Sequence, residues 1–174
     1  MPRKRHKREP LILEDQNKLA NACITMKEKL VVFTLLDTGL RVEEFCNMKK
    51  ENIDWIRHEI VVYGKNTRGG SKKRRTVKMP PRVQPLLEAW IALNDCIGFT
   101  SRTAENIVAK VAKRAGVIKC CPHVLRHSFA VTSLEKGIPL PALQQMLGHE
   151  DMMTTAIYLN LSNNEALRVY GEKW

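Results

Sequence analysis

The sequence predicts a mainly α-helical fold with one small three-stranded antiparallel β-sheet, an α+β class. Apolar residues recur at spacings of three and four over most of the chain. Only the stretch from Asn52 to Pro80 changes texture, to runs of β-branched and aromatic residues that suit strands. The 174 residues, 44% of them hydrophobic, are enough for one domain with its own core.

Residues 14–36 read as helical, with Leu19, Ala22, Cys23, Met26 and Leu30 on the apolar side and Val31–Leu36 as a fully buried run. Thr38-Gly39-Leu40 interrupts the pattern, and a short helix follows with Val42, Phe45, Cys46 and Met48 on one side. Ile53–Trp55 and Glu59–Tyr63 read as strands, Gly69-Gly70 as a hairpin tip, and Arg75–Met79 as the third strand, ended by Pro80-Pro81. Val83, Leu86, Leu87 and Trp90 mark the next helix. Ser101 is the expected N-cap of another, which carries Ile107, Val108, Val111 and Ala115 and stops at Gly116. Helices over about 123–136 and 139–147 end at Gly137 and Gly148, and two short ones are expected near 151–160 and 163–171. The organisation expected is a basic arm or linker at 1–10 and one domain over 11–174, with a tail at 162–174.

Charge points to a polyanionic partner. Lys and Arg number 29 against 18 acids, a net +11. The excess is concentrated at 1–9, with five bases and one acid, and at 64–78, with seven bases and no acid. Bases set against phosphates release condensed counterions, so a nucleic acid is the natural partner. No apolar run is long enough to span a membrane, and the basic N-terminus leads into no signal-peptide core, so the expected location is the cytoplasm. Five cysteines without a CxxC pair read as scattered reduced thiols.

Arg41, His123, Arg126, His149 and Tyr158, with a lysine from the basic hairpin, form a set with one chemistry. Singly, each has an ordinary structural role: a helix salt bridge to Glu44 for Arg41, a satisfied histidine, a half-buried tyrosine. Together they describe phosphodiester cleavage. Two arginines can clamp the nonbridging oxygens. A tyrosine hydroxyl can attack and remain attached. Histidine can take the proton, and lysine can protonate the leaving oxygen. Such a set needs no metal or other cofactor, and no Asp/Glu/His cluster suggests a two-metal nuclease.

Three stretches, TGLRVEEF at 38–45, PHVLRHSFA at 122–130 and LGHEDMMTTAIYL at 147–159, resemble the boxes of the tyrosine recombinase (phage integrase) family. The resemblance implies the catalytic-domain fold of that family and a mobile-element activity such as DNA integration, excision or resolution. It implies that Arg41 and Arg126 bind the scissile phosphate and that Tyr158 attacks it, leaving a 3′-phosphotyrosyl link and a free 5′-hydroxyl. His123 would assist proton transfer, and His149 would hydrogen-bond a phosphate oxygen. Glu44 and His127 match positions that orient the site. The family's general-acid lysine falls on the hairpin. Lys65 follows the strand EIVVYG directly, 24 residues beyond Arg41, whereas counting back from Pro80 favours Lys72 or Lys73. Lys65 is the chosen reading, with Arg68, Lys72, Lys73, Arg74 and Arg75 as DNA-contacting bases. The family's N-terminal DNA-clamping domain has no counterpart in these residues, which fits either a trimmed chain or a one-domain recombinase, and the arm at 1–9 is expected to supply part of the grip. The resemblance also implies a homotetramer on DNA, with the tail docking on a neighbouring protomer.

Two rival readings stand beside this one. Type IB topoisomerases use similar residues to nick and reseal one strand. A helix-turn-helix regulator would account for the charge and for residues 131–148, but it leaves five residues that share one reaction unexplained.

Overall fold

A computed structural model describes residues 9–66 and 72–148, the side chains of residues 65, 66, 72 and 73 excepted. The elements run α1 (Leu13–Asn21), α2 (Met26–Thr38), α3 (Val42–Cys46), a 3-10 turn (Lys50–Asn52), β1 (Ile53–Asp54), β2 (Glu59–Asn66), β3 (Lys72–Lys78), α4 (Gln84–Asn94), α5 (Ser101–Ala115), α6 (Pro122–Glu135) and α7 (Leu140–Leu147). The sheet is antiparallel in the order β1-β2-β3. This is the expected α+β class. The arm at 1–8, the helices expected beyond residue 150 and the tail lie outside the described residues.

The stretch 14–36 is two helices rather than one, and the reason is a capping box. Thr25 accepts a hydrogen bond from the Glu28 amide (3.2 Å), while the Glu28 carboxylate accepts from the amides of Thr25 (3.3 Å) and Ile24 (2.9 Å). Those bonds satisfy donors that a new helix start leaves open, so the chain breaks there although its apolar spacing continues. A smaller correction concerns α5. Its cap is Thr100, whose hydroxyl accepts from the Thr103 amide (3.1 Å), and Ser101 is the first helical residue.

Helix α2 is the axis of the core. Leu30, Val31, Val32 and Leu35 have no exposed surface, and the helix packs against α1, α4, α5 and α6. Its turns over 30–36 are apolar on nearly every side and so must be surrounded. A smaller cluster of Ala130, Leu143 and Leu147, with Phe129, Val131, Leu134 and Ile138, joins α6 to α7. It sets where α7 ends, which matters for the site. The described cysteines are all free, and burial pushes the Cys120 thiol up to about 12, leaving it protonated and inert. No helix among the described residues is long and apolar enough to cross a membrane.

Glu28 also ties α2 to α5. Arg114 donates to both its carboxylate oxygens (2.8 and 3.0 Å), and these bonds with the two amides hold the carboxyl down at about 2. A carboxyl lowered by folding stabilises the fold fully above its ordinary value of about 4.5, and the contribution fades as pH falls towards 2. The thermal midpoint is therefore expected to drop between pH 4.5 and 2, and Glu28→Gln is expected to flatten that drop while lowering stability at neutral pH by about 2–3 kcal/mol. Melts of the two proteins across this range check it. Equal acid slopes would assign the effect to other carboxyls.

Candidate active site

An open groove runs between the β2–β3 hairpin and the helices, lined by Arg41, Glu44, Tyr63, Arg74, Arg75, His123, Arg126, Gln144, Met146 and Gly148 among others. Its parts come from four places in the chain, and the C-terminus of α7 brings them together.

The last carbonyls of α7 have no partner within the helix. Three consecutive ones are each taken by an arginine from a different element. Arg75 of β3 donates its Nε–H to Met146 O (2.9 Å), Arg126 of α6 donates from Nη2 to Leu147 O (2.6 Å), and Arg41 donates from Nη2 to Gly148 O (3.3 Å). The negative end of the helix dipole favours cations at that place. The result is a row of guanidiniums at one helix end, facing a groove.

Arg41 stands at the N-cap of α3, and Glu44 closes back on it. The Glu44 carboxylate accepts from the Arg41 amide (2.8 Å) and from its Nη1 (2.8 Å). The Arg41 side chain is 42% exposed, so its remaining N–H groups face the groove. Arg126 is 6% exposed overall, and its Nη1 also donates to the carbonyl of Gly39. A buried guanidinium held by two main-chain carbonyls keeps its charge and cannot swing away. The Glu44 side chain is itself 7% exposed. Burial disfavours its charged form, but hydrogen bonds and charge from Arg75, with the amide and guanidinium of Arg41, outweigh that and hold its carboxyl below the ordinary range.

His123 lies in the first turn of α6, behind Pro122, and lines the same groove. Its ring stacks on that of His127, with centroids 6.2 Å apart. Burial, with the neighbouring His123, lowers the pKa of His127 and so favours its neutral form.

Of the residues singled out in the sequence, Arg41, Glu44, Arg74, Arg75, His123 and Arg126 therefore meet in one groove, and His127 packs behind it. Lys65 lies inside β2 rather than after it, because the strand continues to Asn66. The β2–β3 register is irregular between Tyr63 and Asn66, which spans Lys65. Lys72 and Lys73 open β3. Arg68, His149 and Tyr158 lie outside the described residues. Arg75, grouped in the sequence with bases that face DNA, is only 12% exposed in its side chain and is held by Glu44.

Two glycines were missed as site residues. Gly39 has φ +63°, and a Cβ there would stand 2.3 Å from Phe129 Cδ1. Gly148 has φ +62°, and a Cβ there would stand 3.0 Å from the Arg75 side chain. Each carries a carbonyl that an arginine uses, and each requires a backbone that other residues resist.

Known proteins match this chain over most of its length. The phage integrase family model matches residues 6–165. The tyrosine recombinase XerA of Saccharolobus solfataricus is 36% identical over 166 residues, covering 92% of this chain and 55% of the relative. The tyrosine recombinase XerC of Staphylococcus aureus is 30% identical over 161 residues, covering 84% of this chain and 53% of the relative. The chain thus spans about half the length of the curated relatives it matches. The crystal structure of XerA recombinase has a TM-score of 0.81 at 29% identity, over 94% of this chain and 64% of that one. The XerH site-specific recombinase bound to palindromic difH substrate shares the fold, with a TM-score of 0.74 at 21% identity over 93% of this chain and 52% of that one. Fold and family model agree, and the chain belongs to the phage integrase family.

Proposed function

We propose that this chain is the catalytic part of a site-specific DNA recombinase that cuts and rejoins strands through a covalent tyrosyl link. The observation that carries the proposal is the pairing of Arg41 and Arg126 at the end of α7, beside His123, in one open groove. Two fixed guanidiniums suit the two nonbridging oxygens of a phosphodiester, whose charge grows on attack. In this reading the Tyr158 hydroxyl attacks phosphorus and its proton passes to His123. The 5′-oxygen leaves with a proton from Lys65, and His149 hydrogen-bonds a phosphate oxygen. One phosphodiester is exchanged for another, so the 5′-hydroxyl of a partner strand can reverse the step without an energy source. Arg68, Lys72, Lys73 and Arg74 meet the DNA backbone, and Glu44 and His127 orient the site. The double-stranded DNA site is held by four copies, each tail at 162–174 docking on its neighbour, in the cytoplasm.

The test is a nicked suicide duplex carrying the recombination site next to the protein's own gene, incubated with the protein in EDTA. An SDS-resistant adduct whose DNA-bearing peptide contains Tyr158 is expected. Bound DNA without an adduct, or an adduct on another residue, overturns the proposal. Run with a chain ending at residue 161, the same reaction tests the tail, whose role would be refuted by unchanged synapsis.

A further inference from the structure

Arg75 has a different setting from the two phosphate-binding arginines. Its guanidinium is paired end-on with Glu44, Nη1 to Oε1 (2.9 Å) and Nη2 to Oε2 (2.7 Å), while Nε holds Met146 O. Oε1 and Oε2 are the same atoms that hold the Nη1 and the amide of Arg41. Arg75 thus fixes the carboxylate that aims Arg41. It also fastens β3 to the end of α7, and Gly148 leaves the space that its side chain occupies. On β3 it shares a face with buried Val77, and it lies opposite Val62 on β2, whereas Arg74, Thr76 and Lys78 face solvent.

Resting on the function proposed above, we propose that Arg75 is a positioning residue for strand cleavage, acting through Glu44 on Arg41 and joining the hairpin to the arginine row, rather than a DNA contact. A bidentate fork on a nearly buried carboxylate fixes direction as well as charge, which a lysine cannot reproduce. A small misplacement of a clamping group slows the chemical step while leaving overall binding almost intact.

The experiment measures single-turnover adduct formation on the nicked duplex for wild type, Arg75→Gln and Arg75→Lys, beside DNA affinity at several salt concentrations. Cleavage is expected to slow about 30-fold in Arg75→Gln and about tenfold in Arg75→Lys, with affinity and its salt slope unchanged. Arg75→Lys keeps a cation beside Glu44 and so remains folded if Arg75→Gln does not. The decisive arm repeats the change in an Arg41→Ala background. There Arg75→Gln is expected to add less than about threefold, because the two act as one unit, whereas a general structural role would slow both backgrounds alike. Equal slowing in both backgrounds, a salt slope lower by about one, or full cleavage by Arg75→Lys overturns the proposal. Absence of an adduct from wild type would instead overturn the recombinase reading itself.

Discussion

Arg126→Lys is expected to slow cleavage by about 10³-fold while leaving DNA affinity nearly unchanged. The guanidinium of Arg126 bonds two carbonyls, Gly39 O on one side and Leu147 O on the other. A planar fork can span both and still turn an N–H towards the groove, whereas one ammonium cannot hold all three directions. In the proposed reaction its interaction with the phosphate strengthens as charge develops, so its loss falls on the rate and not on binding. The fold should survive, because the cation remains and one or two carbonyl bonds are weakened, at about 1–3 kcal/mol. Single-turnover adduct formation, with a thermal melt of the same sample, checks both halves. A rate within about threefold of wild type would remove Arg126 from the phosphate.

Gly39→Ala is expected to cost about 3 kcal/mol. The residue sits at φ +63° as the C-cap of α2, where a side chain costs about 1 kcal/mol, and the new methyl would press on Phe129 and Leu147. For a domain of this size the thermal midpoint should fall by roughly 6–12 °C. Cleavage should slow as well, because the Gly39 carbonyl holds Arg126. Gly116→Ala is the internal control. Gly116 has a similar φ of +69° but open space around it, so only the backbone penalty of about 1 kcal/mol applies. Equal losses in the two variants would mean that the contact with Phe129 does not matter.

The helices were legible because most of them bury one face, and the sheet because its apolar residues stop recurring at helical spacing. The break between α1 and α2 was missed although Thr25 and Glu28 spell a capping box. A continuous apolar pattern hides a break when both helices bury the same side. The hairpin strands run longer than their apolar residues predict, for a related reason. Their outer residues are polar and basic, so only the ladder hydrogen bonds extend them to Asn66 and back from Lys72. Arg41, His123 and Arg126 could be found from residue type and spacing. Arg75 looked like one more base in a basic run, yet its place two residues before Val77 puts it on the inward face of β3. That alternation was readable, whereas its partner Glu44, 31 residues earlier, was not.

The helix end that gathers the arginines offers them main-chain oxygens only. Met146 and Leu147 lend the backbone, not their side chains, to Arg75 and Arg126. At Met146 the contact is thus independent of residue identity, and the site should tolerate drift at position 146, where the side chain is only partly enclosed. Leu147 is constrained by its burial in the α6–α7 cluster, not by the contact it provides. A deep mutational scan should therefore find intolerance and tolerance side by side: arginines and glycines fixed by chemistry or by backbone shape, and between them a helix that can change its letters outside the buried Leu143 and Leu147 as long as it keeps its ending.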